Sequence, residues 1–174
     1  MPVTAGVSRE ALGINAANLA SDHAISATAA TKVVLDHPII LPPGTYVFTF
    51  FIIAQSATAT VSPMFGVNFT GTASVQKMTL QYPGTGTTAI TGTADDVGAT
   101  SGQIQESVTV TAFATTAPNM GATGGVATIN ANILYQIDGV IVVTAQGELE
   151  LWHGSETATS TTVKAGTALA CLKC

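Results

Sequence analysis

Charge is scarce in this chain of 174 residues. Only 9% of the residues are charged, against about 25% in a typical soluble domain. The five basic residues, Arg9, Lys32, Lys77, Lys164 and Lys173, are scattered, and the formal net charge is −5. A protein that binds a phosphate backbone usually carries a basic stripe, so the sequence predicts no nucleic-acid partner.

Long apolar runs are also missing. No stretch of about 18 apolar residues occurs, so we expect no membrane span. The first twenty residues mix Arg9, Glu10 and Asn15 into short apolar pieces, and we therefore expect no secretory signal and assembly in a cytoplasm. With 47% hydrophobic residues the chain is too apolar for disorder, and its length suffices to bury a core without disulfides.

The only two cysteines are Cys171 and Cys174. Their spacing is that of a redox motif, but such motifs act at the start of a helix, and this pair ends a predicted strand. Residues three apart on a strand point to opposite faces, so a disulfide between them would be strained. We expect a buried Cys171 and an exposed Cys174 thiol, with bridging between subunits as the alternative.

Catalytic signals are weak. The three histidines, His23, His37 and His153, lie in unrelated contexts, and no Gly-Xaa-Ser-Xaa-Gly elbow is present. A triad that assembles across the fold stays open at this point. The sequence predicts a non-enzymatic protein with no catalytic residues and no cofactor.

Carboxylates that could hold a cation occur at Asp95-Asp96, at Glu148 and Glu150, and at Asp22. Calcium requires six to eight oxygen ligands, and paired acids on a loop are more often solvated. We therefore predict no metal site. Three copies that converge on an axis would be the exception.

The segment from Pro42 to Ile53 is the strongest strand signal. A proline-glycine turn precedes residues that are almost all aromatic or β-branched. A period of two gives two largely apolar faces, with Tyr46, Phe48, Phe50 and Ile52 on one and Val47, Thr49, Phe51 and Ile53 on the other. We predict burial of both faces, one in a core and the other against a neighbouring copy of the chain.

Short strands separated by Gly, Pro and Thr clusters predict an all-β sandwich or barrel from residue 38 onward. The predicted strands are 45–56, 60–70, 74–82, 106–114, 127–137, 139–145, 147–153 and 166–173. Asp138-Gly139 fits a turn or a bulge within one long strand. Residues 1–37 are rich in Ala, lack aromatics and show no sustained period, so we predict an extended N-terminal arm before a domain at 38–174.

These segments in this order resemble the tumour-necrosis-factor-like jelly roll, a fold shared with complement globular heads and many bacteriophage virion proteins. The resemblance rests on Ile39 to Phe50, which is similar to that family's Pro-Gly-Xaa-Tyr-Xaa-Phe strand entry. It also rests on Val140–Val143, the Gly147 turn, Glu148–Trp152 and Gly166–Leu172. It implies a sandwich of about ten antiparallel strands that forms a homotrimer around an axis lined by aromatic residues.

Within the resembled family, the Thr/Ala/Gly-rich composition of the chain is more similar to that of phage structural proteins than to that of secreted animal proteins. The resemblance therefore implies a trimeric decoration or cement protein on the outside of a phage capsid. Its partners would be itself and the major capsid protein or another virion protein, in the virion, after assembly in the host bacterial cytoplasm. The predicted trimer-interface residues are Tyr46, Phe48, Phe50, Phe51, Tyr135, Trp152 and Leu169. The predicted capsid-attachment residues in the arm are Val7, Leu12, Ile14 and Leu19.

The alternative is a host-recognition module of a head fibre or tail. Its loops at 83–103 and 115–125 would then bind a cell-surface glycan or protein. Only Tyr82 and Met120 offer large apolar contacts near these loops, which disfavours glycan binding.

Overall fold

The chain forms an all-β fold of two antiparallel sheets. A computed structural model describes residues 14–83, 105–111, 113, 118, 120–121, 126 and 128–174. The strands in this described part are β1 (Ile14–Asn18), β2 (His23–Ile25), β3 (Thr31–Lys32), β4 (Ile39–Leu41), β5 (Gly44–Ser56), β6 (Pro63–Phe69), β7 (Thr72–Pro83), β8 (Gln105–Val110), β9 (Met120–Gly121), β10 (Ile133–Ala145), β11 (Gly147–Ser155), β12 (Thr161–Val163) and β13 (Ala168–Lys173).

Sheet A has the strand order β1-β13-β5-β10-β7-β8, and β12 adds to it by pairing with β5 and β2. Sheet B has the order β3-β11-β6-β9, and β4 also pairs with β11. The connections cross between the sheets, because β5 belongs to sheet A, β6 to sheet B and β7 to sheet A again. Strand β13 pairs with β1 on one side and with β5 on the other.

The two sheets share one hydrophobic core. Strand β5 contributes every second side chain, Tyr46 to Ala54, and these are buried as the alternation predicts. The Phe65 ring of sheet B meets the Tyr135 ring of sheet A edge to face, with centroids 5.2 Å apart. Other buried members are Leu41, Phe69, Met78, Leu80, Ile137, Ile141, Leu149, Leu151, Leu169 and Cys171.

Asp138 and Gly139 lie inside one strand, so the predicted turn is wrong; the alternative is right about the long strand but not about a bulge at these two residues. Strand β10 pairs with β5 without interruption from Ile133 to Val143. Gly139 lies opposite Phe48, and a Cβ at this position would collide with the Phe48 ring. The glycine thus makes room for an aromatic ring from the neighbouring strand rather than reversing the chain.

The predicted boundary between an arm and a domain at residues 37 and 38 does not match the pairing of residues 14–32. Strand β1 pairs with β13, β2 with β12 and β3 with β11. Ala17, Leu19 and Val33 are buried in the common core. These strands are short and contribute small side chains, so they show no apolar period. Residues 1–13 lie outside the described residues.

We predict that Gly139→Val lowers the free energy of unfolding by about 1–3 kcal/mol, because the new side chain overpacks the core against Phe48. Urea unfolding measures the loss. The matched control is Ala145→Val, which adds the same kind of side chain at the exposed end of the same strand and should change stability by less than about 0.5 kcal/mol. Equal stability of the two variants would contradict the packing role of Gly139.

Candidate interaction surface

The side of sheet A that points away from the core carries exposed apolar side chains among polar ones. We call it the outer face, formed by the outward side chains of β5, β7, β10 and β13. Four large apolar side chains on it remain well exposed: Val47 at 38%, Phe51 at 42%, Leu134 at 54% and Leu172 at 42%.

The strand register places these side chains in two groups at opposite ends of the outer face. At one end, Ile53 pairs with Leu134, and Phe51 lies between Ala168 on β13 and Gln136 on β10. At the other end, Val47 lies between Leu172 and Val140, each on a neighbouring strand. Exposed apolar groups with polar neighbours are typical of an interaction site.

Polar groups occupy the middle of the outer face. Asp138 accepts two hydrogen bonds: the Thr49 hydroxyl donates to its Oδ1 at 2.7 Å, and Nε2 of Gln136 donates to its Oδ2 at 2.8 Å. Beside Asp138, a shallow depression of about 330 Å³ is lined by Val47, Phe48, Thr49, Lys77, Thr79, Asp138, Gly139 and Val140. The face thus has two apolar ends separated by a polar band that runs in register from Thr49 through Asp138 to Thr79.

Most of the predicted trimer-interface residues are not on any surface. Tyr46, Phe48, Phe50, Tyr135 and Leu169 are buried within the single chain. Their side chains fill the core between the sheets, so they are not accessible to a second subunit. Of the two faces predicted for β5, the set with Val47, Thr49, Phe51 and Ile53 is therefore the one that a partner can reach.

Phe51 and Trp152 are the two predicted interface residues outside the buried core. Phe51 lies on the outer face, whereas Trp152 is half-buried on sheet B, where its Nε1 donates to Oε2 of Glu150 at 2.9 Å. The two side chains belong to different sheets. Sequence reasoning missed Leu134 and Leu172, because their place beside Ile53 and Val47 depends on the pairing of strands distant in sequence.

The predicted attachment residues have three different placements. Leu19 is buried in the core, so its side chain is not available to contact another protein. The backbone of Ile14 pairs with Leu172 at the edge of sheet A. Val7 and Leu12 lie outside the described residues.

The outward side of sheet B carries a charged cluster whose members are paired within the chain. Lys32 Nζ binds Glu148 at 2.7 Å and Glu150 at 2.9 Å, and the Asn68 amide donates to Glu150 at 2.7 Å. Burial raises the pKa of Glu150, but hydrogen bonds from Asn68, Lys32 and Trp152 outweigh it and hold that pKa below its usual range. The two carboxylates considered for a cation therefore already share a lysine.

The other carboxylates considered for a cation do not form a site among the described residues. Asp22 binds Lys164 and the backbone N–H of Ala165, and both interactions lower its pKa. Asp95 and Asp96 lie outside the described residues. Within the described ranges no group of three or more His, Cys, Asp or Glu side chains could hold a metal ion.

The cysteines are placed as expected. Cys171 is buried in the core and Cys174 is exposed, and both are free thiols. Burial raises the pKa of the Cys171 thiol to about 12, with a smaller contribution from Cys174. This thiol is a core side chain rather than a nucleophile.

His153 is fully buried and packs against Phe65 and His23, with ring centroids 5.9 and 5.5 Å away. Its Nε2 lies 3.0 Å from the Thr161 hydroxyl, and its Nδ1 has no hydrogen-bond partner among the described residues. Burial lowers the pKa of His153 to about 3, with a further contribution from His23. A fully buried neutral imidazole is a structural group here, since no substrate can reach it.

No protein-family model and no curated protein matches the chain. In the part of the chain that the structure describes, no helix is long and apolar enough to cross a membrane. The loops proposed for host recognition, 83–103 and 115–125, lie almost entirely outside the described residues.

We predict that acid destabilises the fold through His153. The folded chain keeps this imidazole neutral to about pH 3, whereas the unfolded chain protonates it near pH 6.5, so stability falls as the pH drops through this interval. The loss at about pH 5 should be roughly 2 kcal/mol. Urea unfolding of the wild type and of His153→Gln at neutral and acidic pH measures it.

The variant should lose most of this pH dependence. The matched control is His37→Gln, which makes the same substitution at an exposed histidine and should leave the loss caused by His153 in place. A His153→Gln protein whose stability falls as steeply as that of the wild type would show that another group is responsible.

Proposed function

We propose that this chain is a non-enzymatic structural protein that self-assembles through the outer face of sheet A, as a trimeric jelly roll that decorates the outside of a phage capsid. The observation that carries this proposal is the exposure of four large apolar side chains, Val47, Phe51, Leu134 and Leu172, on one side of one sheet. A solvated β-strand normally presents polar side chains on its outward side. Strand β5 presents Phe51 and Val47 instead.

Apolar burial supplies part of the free energy of a subunit contact at this face. Burying the exposed half of a large apolar side chain contributes about 1 kcal/mol, so the four side chains together contribute on the order of 4 kcal/mol per copy. In a closed ring every subunit gains this contribution at once, together with the surrounding Ala168, Ala170 and Val140. If this contact forms, a charged side chain in place of Phe51 should weaken the assembly.

The strand order supports the jelly-roll part of the proposal. The resembled family places its last strand at the centre of the domain after a turn of small residues. Here β13 follows the Ala165-Gly166 turn, in which Gly166 adopts a φ of 91°, and it lies between β1 and β5. The capsid as partner rests on the resemblance to phage virion proteins and on the low charge of the chain.

We predict that Phe51→Asp gives a folded monomer under conditions in which the wild type is a trimer, because a carboxylate would be buried in the interface without a partner. Light scattering after size-exclusion chromatography measures the mass, and urea unfolding verifies the fold. Val34→Asp is the matched control, since Val34 is 69% exposed on the loop between β3 and β4, away from the outer face. A monomeric wild type would contradict the proposal.

The attachment role assigned to the first residues needs a test that leaves β1 intact, because β1 pairs with β13. We predict that Val7→Asp/Leu12→Asp keeps the wild-type mass but abolishes co-sedimentation with capsids of the phage that encodes the chain. The matched control, Thr4→Asp/Ser8→Asp, adds the same charge at polar positions. Undiminished capsid binding by the first variant would remove these two residues from the attachment site.

A further inference from the structure

The outer face contains one carboxylate without a cationic partner in the described residues. Asp138 forms no salt bridge there, although Thr49 and Gln136 each donate a hydrogen bond to it. Thr49 belongs to β5, so one carboxylate oxygen is held toward that strand. Strand β7 and its lysine lie on the opposite side of β10.

The same face contains one lysine without an anionic partner in the described ranges. Lys77 is exposed, pairs in register with Val140 on β10, and lines the depression beside Asp138. A register shift between Val140 and Ile141 leaves Gln76 as an extra residue on β7. Because of this bulge, Val75 packs against the core whereas Lys77, two residues later, points outward. Bulges that re-aim a side chain are common at functional sites.

The two charges constrain what can cover the face. A wholly apolar partner would bury a carboxylate and an ammonium without supplying a counter-charge to either, at a large desolvation cost. A second copy of the chain offers one lysine and one carboxylate at the same place. In a closed ring with its axis at this face, equivalent regions of neighbouring copies would meet, which would bring each carboxylate toward the next copy's lysine.

We propose that Lys77 of one copy forms an ion pair with Asp138 of the next, and that this pair sets the register of self-assembly at the outer face. The inference rests on the proposed function, since it requires that copies of the chain meet there. Thr49 and Gln136 hold the carboxylate in place before assembly. The surrounding Val47, Val140 and Leu172 exclude water once the copies meet, which strengthens the pair.

Charge reversal tests the pair. We expect Lys77→Glu alone and Asp138→Lys alone to raise the apparent dissociation constant of the assembly at least about tenfold. Lys77→Glu/Asp138→Lys restores an acid and a base on each copy, and it should return to within about threefold of the wild type. Sedimentation velocity over a range of protein concentrations measures these constants. Wild-type assembly should also weaken at high salt.

Two further sets of variants keep the test decisive. Gln146→Glu adds negative charge at the exposed turn between β10 and β11 and should leave assembly unchanged. If Asp138→Lys fails to fold, Lys77→Met and Asp138→Asn each remove one charge, and the Asn side chain can still accept a hydrogen bond from Thr49. We expect the double-mutant cycle of these two changes to show coupling.

The outcomes separate the two proposals. A wild type that is monomeric at every concentration overturns self-assembly itself. If both single charge reversals assemble with the dissociation constant of the wild type, only the ion pair is overturned. Dissociation of the wild-type assembly by EDTA, with no effect of the Lys77 variants, would also overturn the ion pair, because a shared cation would then neutralise the Asp138 carboxylates.

Discussion

The pairing of β5 with its neighbours is the constraint on which the rest of the structure depends. This strand binds β10 from Gly44 to Ala54, β13 from Tyr46 to Phe51, and β12 at its end. A slip of one residue would exchange its two faces, and the Tyr46–Ile52 set would move from the core to the solvent. The same register that fills the core therefore determines which side chains of β10 and β13 border Phe51.

The outward sides of the two sheets differ in how their charges are neutralised. On sheet B, Lys32 satisfies Glu148 and Glu150, and Trp152 and Asn68 complete the hydrogen bonding of Glu150. On sheet A, Lys77 and Asp138 have no ion-pair partner among the described residues and line a depression together with Thr49, Thr79, Val47 and Val140. On sheet B each charged group has an ion-pair partner within the chain, whereas on sheet A a second copy supplies the partner in our proposal.

The sequence predicts the long strands well and the short ones poorly. The apolar alternation of β5 and the glutamate-leucine alternation of β11 identify both strands. Strands β1 to β4 and β12 are two to five residues long, too short to show a period, and among the described side chains of β1 only Ala17 belongs to the core. The candidate site was only half predictable: the outward side of β5 follows from its own sequence, but its contact with Leu134 and Leu172 depends on register between segments far apart in the chain.

The position of β13 has a consequence for biosynthesis. The last strand fills the slot between β1 and β5, so sheet A lacks an inner strand until residues 168–173 have left the ribosome. Until then β1 lacks its pairing strand, and one edge of β5 stays open from Tyr46 to Phe51. Contacts between segments far apart in sequence form slowly. The nascent protein must therefore keep an open strand edge away from other nascent copies until β13 has been made.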